Sequence, residues 1–160
     1  LARSPRAVLA CGYLTGVSPP TAAARSLSDF VTISSKGNAV RFGDLTKARG
    51  ALTGCSNAVR GVFGGGTDWT AGDMGVMNVI DYITIASLGN ASDFGDLSTA
   101  AMGIQNSQVN STTRGLFTGF NDPGPATNVI DYVTIATTGN GVDFGDTIDA
   151  RSLPAGICSS

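Results

Sequence analysis

One pattern of about 50 residues occurs three times along the chain, and this repeat constrains the fold more than any other feature. Residues 29–49, 81–101 and 131–151 align without gaps, at offsets of 52 and 50 residues. Each copy opens with Asp and an aromatic residue and continues through Gly-Asn to a Phe-Gly-Asp triplet. A period of this size is typical of stacked structural units, because a single unit cannot bury its apolar surface alone.

Two further blocks recur around this pattern. Residues 60–65 match residues 114–119 and, more loosely, residues 6–11. The run 48–55 resembles the run 150–158, with one extra residue in the later copy. Each unit therefore contains four short extended segments that neighbour one another along the chain. In the middle copy we predict antiparallel strands at approximately residues 51–56, 60–65, 78–87 and 92–97.

The third of these segments indicates how the strands pack. Val79 and Ile83 belong to one face of a strand, whereas Ile80 and Tyr82 belong to the other. A strand with one solvated face alternates apolar and polar residues, so this strand is predicted to lie in a sheet covered on both sides. Small four-stranded sheets that each pack on two neighbours are typical of β-propeller blades. A β-solenoid is the main alternative.

The composition excludes several classes of function. The chain contains no His and no Glu, so all twelve acidic residues are Asp. Without His, neither a Ser-His-Asp nor a Cys-His nucleophile can be built, and most catalytic zinc sites are excluded. Ten scattered basic residues and a net charge of -2 argue against nucleic-acid binding, and no apolar run is long enough for membrane insertion. We predict a protein that is not an enzyme and holds no cofactor or metal.

The Asp that ends the Phe-Gly-Asp triplet is a candidate for binding Ca²⁺. Asp44 and its counterparts Asp96 and Asp146 recur in every unit, and carboxylates suit Ca²⁺. The preferred interpretation is that each caps a turn or pairs with an Arg near the next strand, such as Arg49. A residue that is present in every unit is expected to serve the unit itself.

The order of glycines and aromatic residues within each unit follows a known pattern. In the middle copy Gly64 and Gly65 follow an apolar strand, Tyr82 precedes the hairpin and Phe94 follows it. This order resembles kelch repeats, with Phe94 and its counterparts where kelch repeats usually have Trp. The resemblance implies an all-β fold of kelch-like β-propeller blades, here three four-stranded antiparallel units within a larger or oligomer-completed propeller. The full sequence pattern of the repeat, RGVFGGG…NVIDYITIA…GN…DFGDL, also resembles tandem repeats in structural proteins of tailed phages.

The chain is predicted to form a single repeat domain over residues 1–160. Its units cover approximately residues 1–44, 45–96 and 97–146, and residues 147–160 supply the first strand of a further or shared blade. Propellers usually need about four to eight blades to close, and three blades leave two open edges. The expected partners are therefore further blades of a longer chain or other copies of the protein, with two copies giving a six-bladed ring.

The connections between the second and third strands differ among the units and form the predicted binding surface. They cover approximately residues 14–28, 66–77 and 120–127 and are expected to cluster at one end, since loops on a rigid scaffold often carry binding. The only Trp, Trp69, could stack on a carbohydrate or fold back as a local hydrophobic plug. The candidate binding residues are Tyr13, Asp68, Trp69, Asp73, Phe120, Asn121 and Asp122.

These expectations describe a structural or adhesive protein without catalysis. The resemblance to phage repeats implies a tail fibre or another virion-associated or extracellular protein that presents loops to a host-surface glycan or protein. A secreted bacterial adhesion protein or a subunit of an extracellular filament is the first alternative. A glycan-processing propeller is the second, and it requires two Asp carboxylates about 5–10 Å apart in an open pocket.

Overall fold

The computed structural model describes residues 5–14, 23–68, 75–102, 109–118 and 127–150. Within these ranges the protein consists of strands and turns without a helix, so the predicted all-β class is confirmed. The strands form three antiparallel sheets, one for each copy of the repeat. Nothing in the described ranges is a helix of the length and apolarity needed to cross a membrane.

Each sheet is a meander in which strands that are neighbours in sequence pair with one another. Sheet 1 contains β1 (Arg6–Leu14), β2 (Ala23–Thr32) and β3 (Val40–Asp44). Sheet 2 contains β4 (Thr53–Ser56), β5 (Arg60–Gly64), β6 (Val79–Thr84) and β7 (Ser92–Asp96). Sheet 3 contains β8 (Val109–Asn110), β9 (Arg114–Thr118), β10 (Val129–Thr134) and β11 (Val142–Asp146). Among the described residues, sheet 1 has no counterpart of β4 or β8.

All four strands predicted for the middle unit are present in sheet 2. β4, β5 and β7 lie within the predicted ranges, but β6 ends before residue 87. The reason is a turn, in which Ser87 N donates to Thr84 O at 3.1 Å. In sheet 1 the predicted connection at residues 14–28 is too long, because β2 already begins at Ala23 and pairs there with the end of β1.

A β-bulge at the same place in each sheet accounts for the Phe-Gly-Asp triplet. In sheet 2, Ile80 faces Gly95, whereas the next residue, Asp81, faces Asp93. Phe94 is therefore the extra residue on β7. Gly95 has a φ of 145°, in the left-handed region that favours glycine. Sheets 1 and 3 show the same register shift, and a bulge of this kind bends the edge strand and redirects its side chains.

The main apolar core lies between sheets 2 and 3. Sheet 2 contributes Val62, Ile80 and Phe94, and sheet 3 contributes Phe117 and Val133, among other buried residues. Ile83, on the opposite face of β6 from Ile80, is also buried. The strand is therefore covered on both faces, as its sequence predicts.

Two Phe residues at equivalent positions provide a matched test of this core. Phe94 is 3% exposed, whereas Phe144 of sheet 3 is 52% exposed. We expect Phe94→Ala to lower the free energy of unfolding by about 3–5 kcal/mol, because a cavity remains in the core. Phe144→Ala should lower it by less than about 1 kcal/mol. Urea denaturation of dilute protein followed by circular dichroism measures both, and equal losses would contradict this core.

Candidate functional site

At each of the two contacts between neighbouring sheets, a Gly-Asn hairpin takes part in three hydrogen bonds to the preceding sheet. We call these bonds, together with the buried polar contacts beside them, the inter-sheet joint. From sheet 2 to sheet 1, Gly89 N donates to Phe42 O at 3.0 Å and Ala91 N donates to Asp44 O at 2.8 Å. Asn90 Oδ1 accepts from the backbone N of Asp44 at 3.1 Å. The Gly-Asn hairpin of one sheet thus covers the outer edge of the preceding sheet, where unpaired backbone groups would otherwise be exposed.

The joint between sheets 2 and 3 repeats this geometry. Gly139 N donates to Phe94 O at 2.8 Å, and Gly141 N donates to Asp96 O at 2.7 Å. Asn140 Oδ1 accepts from Asp96 N at 3.1 Å. The sequence predicts the Gly-Asn pair only as a hairpin turn, so its role in connecting the sheets is visible only in the structure.

A buried carboxylate completes each joint. Thr46 Oγ1 donates to Asp81 Oδ1 at 2.6 Å, and Thr46 N donates to Asp81 Oδ2 at 3.2 Å. Ser98 holds Asp131 in the same way, with Oγ at 2.8 Å from Asp131 Oδ1 and N at 2.9 Å from Oδ2. Both Asp residues are 0% exposed. These two carboxylates are therefore shut off from any substrate in solution.

The joint between sheets 1 and 2 also contains a buried ion pair. Arg49 Nη1 lies 3.0 Å from Asp81 Oδ2, and both side chains are 0% exposed. Arg49 Nη1 is not aligned as a hydrogen-bond donor with any described residue, and Nη2 donates to Phe63 O at 3.4 Å. At the equivalent position of the next unit the sequence has Ala101, so of the two joints among the described residues only the first contains this ion pair.

Asp44, by contrast, has a local role at the end of β3. Its Oδ2 pairs with Arg41 of the same strand, and its Oδ1 accepts from Ser26 Oγ at 3.3 Å. Of the two roles predicted for Asp44, pairing with Arg49 is therefore wrong, because Arg49 lies beside the buried Asp81 instead. Among the described residues, no three Cys or Asp side chains come together as a group that could hold a metal ion.

Tyr13 and Asp68, two of the predicted binding residues, lie at the same end of the domain. Tyr13 Oη donates to Thr67 O at 3.0 Å, directly before Asp68 in the chain. The Tyr13 ring lies against Gly50, where a side chain would collide with it. Burial raises the pKa of Tyr13, and the negative charge of Asp68 acts in the same direction. The phenol is therefore held neutral, with its hydroxyl donating to the protein backbone.

The loop itself positions Asp68. Its backbone N donates to Gly75 O at 3.3 Å, and its carboxylate lies against Gly75, which has no side chain to displace it. Asp68 Oδ1 is buried and has no hydrogen-bond partner among the described residues. The remaining predicted binding residues lie outside the described residues; they are Trp69, Asp73, Phe120, Asn121 and Asp122.

The two described cysteines are not activated as nucleophiles. Burial raises the pKa of Cys55 to about 12. Burial also raises the pKa of Cys11 to about 11, although the positive charge of Arg49 partly opposes it. Both thiols therefore stay protonated at neutral pH. Because the thiolate is the reactive form, neither cysteine is prepared to act as a nucleophile.

A cleft of about 310 Å³ separates part of sheet 1 from sheet 2, and the sequence did not predict it. Its walls include Val8 of β1 and Gly61 of β5. Between sheets 2 and 3, Cys55 of β4 packs against Gly115, the counterpart of Gly61. The cleft therefore lies where a first strand of sheet 1 would pack.

The chain matches no protein-family model and no curated protein sequence. Three features of the described residues therefore bear on its function. These are the repeated joints, the cleft beside β1, and the loop end that carries Tyr13 and Asp68.

Arg49 and Arg41 allow the buried ion pair to be tested against an exposed one. Arg49→Ala leaves the Asp81 carboxylate buried without its counter-charge, and we expect the free energy of unfolding to fall by about 3–5 kcal/mol. Arg41→Ala removes a pair whose Arg side chain is 65% exposed, and the expected loss is below about 1 kcal/mol. Urea denaturation measures both losses. Adding Asp81→Asn to Arg49→Ala should recover part of the loss, and no recovery would contradict an electrostatic cause.

Proposed function

We propose that the protein is a non-enzymatic structural and binding module built from kelch-like β-propeller blades. The observation that carries this proposal is the inter-sheet joint, which is made twice by residues at equivalent positions and in the same direction. Units that always connect in one direction form an open array or a closed ring. The kelch-like order of glycines and aromatic residues favours the ring of blades.

The cleft beside β1 supports the same arrangement. Sheets 2 and 3 each begin with a short strand, β4 and β8, whereas the described part of sheet 1 begins with β1. Residues 150–158 resemble the segment that contains β4, with Cys158 in the place of Cys55. A segment of this sequence from a neighbouring copy or a further unit suits the vacant place and would complete a four-stranded blade.

The distribution of polar side chains supports binding rather than catalysis. The buried carboxylates of Asp81 and Asp131 are engaged in the joints and closed to solvent. The loop end instead carries Tyr13 and Asp68, which are both half-buried and so partly open to solvent. Aromatic and carboxylate groups on a rigid scaffold suit the stacking and hydrogen bonding that a carbohydrate requires.

The proposed setting is a tail fibre or another virion-associated protein that presents this loop end to a host-surface glycan. The support is the resemblance of the repeat to those of tailed-phage structural proteins. A subunit of an extracellular filament or adhesion protein is the second candidate. It is favoured by the edge of β11, which no hairpin from a described residue covers, unlike the edges of β3 and β7.

Binding of the whole 160-residue chain to a panel of bacterial surface polysaccharides tests this proposal. We expect at least one polysaccharide to bind, and Asp68→Ala to weaken that binding about tenfold, as the loss of a hydrogen bond to a charged group would. Lys36→Ala is the matched control, because Lys36 lies in the β2–β3 hairpin at the opposite end of sheet 1 and is exposed. Biolayer interferometry gives the dissociation constants.

Three outcomes would contradict the proposal. One is the absence of binding across the panel, and another is equal weakening by Lys36→Ala and Asp68→Ala. The third is cleavage of a bound polysaccharide, seen as new reducing ends, which would favour the glycan-processing alternative. Circular dichroism of each variant separates lost binding from lost folding.

A further inference from the structure

The C-terminal side of sheet 3 exposes residues that are buried at the same position in the other sheets. Phe144 is 52% exposed, while its counterparts Phe42 and Phe94 are 3% exposed because the next sheet covers them. Not every residue on these edge strands differs in exposure between the sheets. Val40 and Val142 are 56% and 52% exposed in sheets 1 and 3 alike, so that position faces solvent whether or not a sheet follows. The exposure of Phe144 therefore marks an uncovered joint.

The N-terminal side of sheet 1 exposes the complementary half of the joint. Ile33 is 64% exposed, whereas its counterpart Ile135 is 0% exposed in sheet 3. Asp29 is half-buried, whereas its counterparts Asp81 and Asp131 are fully buried. The hairpin at residues 37–39 is exposed throughout, and its Gly-Asn-Ala sequence is identical to that of residues 89–91, which dock on sheet 1.

Arginine side chains add a further directional contact between sheets. Arg6 Nη1 of sheet 1 donates to Ile85 O of sheet 2 at 3.0 Å. Arg60 Nη1 of sheet 2 donates to Ala136 O of sheet 3 at 2.8 Å. Arg114 is the counterpart in sheet 3. Its Cζ lies 4.9 Å from the centre of the Tyr132 ring, and Arg60 stacks in the same way on Tyr82, with its Cζ 4.6 Å from the ring centre. Arg114 is thus oriented like the others, on the side of sheet 3 where no further sheet lies among the described residues.

We propose that these two surfaces bind each other, so that a second copy of this chain docks head to tail on the first. The hairpin at residues 37–39 of one copy covers the edge of β11 in the other, with Asn38 Oδ1 accepting from Asp146 N. Arg114 of the first copy donates to Ile33 O of the second. The occupant is a second copy because each surface carries a sequence that already docks within the chain. Gly-Asn-Ala docks once, at residues 89–91, and Phe-Gly-Asp receives a hairpin twice, at residues 42–44 and 94–96.

One position makes this intermolecular joint weaker than the internal ones. Thr46 and Ser98 donate hydroxyl groups to the buried Asp of the next sheet, but their counterpart in sheet 3 is Ile148, which is 95% exposed. Ile148 can offer its backbone N–H to Asp29 of the second copy, but its side chain has no donor. Because this hydrogen bond is missing, we expect the two copies to associate weakly and to separate on dilution.

This inference rests on the assembly role of the proposed function and not on polysaccharide binding. The two are tested by different variants: Asp68→Ala leaves the joint intact, and the joint variants leave the loop end intact. Association into an open filament instead of a ring would preserve the inference while contradicting the propeller.

Sedimentation velocity of the 160-residue chain over a range of concentrations is the primary measurement. We expect dimers and larger species to increase with concentration. Phe144→Ser should weaken association about tenfold or more, because an exposed aromatic side chain that the joint buries is lost. Val142→Ser, the matched control on the same strand, should leave association unchanged. Circular dichroism confirms that both variants remain folded.

A gain of affinity gives a second test that cannot be mistaken for misfolding. Ile148→Thr restores the hydroxyl donor to Asp29 of the second copy, and association should tighten about tenfold. Adding Asp29→Ala should abolish that gain. If Ile148→Thr leaves the association constant unchanged, the proposed register of the joint is wrong.

Mixing two blocked variants tests the head-to-tail direction. Phe144→Lys blocks the edge of β11, and Ala39→Arg blocks the hairpin by adding bulk at a residue that must approach the neighbouring strand. Each variant alone should be monomeric, and an equimolar mixture should form a dimer that does not grow, since one intact surface of each kind remains. Self-association of either variant alone, or a wild-type chain that stays monomeric at every concentration, would overturn the proposal.

Discussion

The architecture depends on the way in which a hairpin from one sheet satisfies the exposed edge of the sheet before it. Edge strands carry unpaired N–H and C=O groups that invite uncontrolled pairing. Two backbone N–H groups of each Gly-Asn hairpin satisfy the two carbonyls, and the Asn side chain supplies the one acceptor that the hairpin backbone does not. Because the contact needs a hairpin on one side and a bulged edge on the other, it orders the sheets in a single direction.

The bulge and the joint depend on the same glycine. The bulge at Phe94 needs a backbone conformation that glycine adopts at Gly95, and the absence of a side chain at Gly95 also lets Gly139 O approach the strand. The triplet Phe-Gly-Asp therefore combines an apolar anchor, a close approach and the pair of backbone groups that the next hairpin binds. Gly95 therefore serves both its own sheet, through the bulge, and the next sheet, through the close approach of Gly139. This double role explains why the triplet recurs unchanged.

Much of the fold was predictable because it follows from local sequence patterns, and the repeat shows each pattern three times. Strand positions in sheet 2 and the burial of both faces of β6 follow from alternation and turn residues. The pairing of Arg49 with Asp81 was not predictable, because it depends on which carboxylate the next sheet brings to Arg49 across 32 residues of chain. For the candidate site, the order of the strands was enough to place Tyr13 and Asp68 at one end. The orientation of their side chains depends on Thr67 and Gly75, whose roles are set by backbone geometry rather than residue type.

The direction of the joint has a consequence that does not depend on the number of units. Every sheet presents a hairpin to one side and an edge to the other, so a linear array of any length retains one free hairpin and one free edge. Adding units moves these two surfaces apart but does not remove either of them. They are removed only if the array curves enough for its ends to meet, or if another copy supplies the missing half. The rotation between successive sheets decides between a ring and a filament, whereas the chemistry of the contact is the same in both.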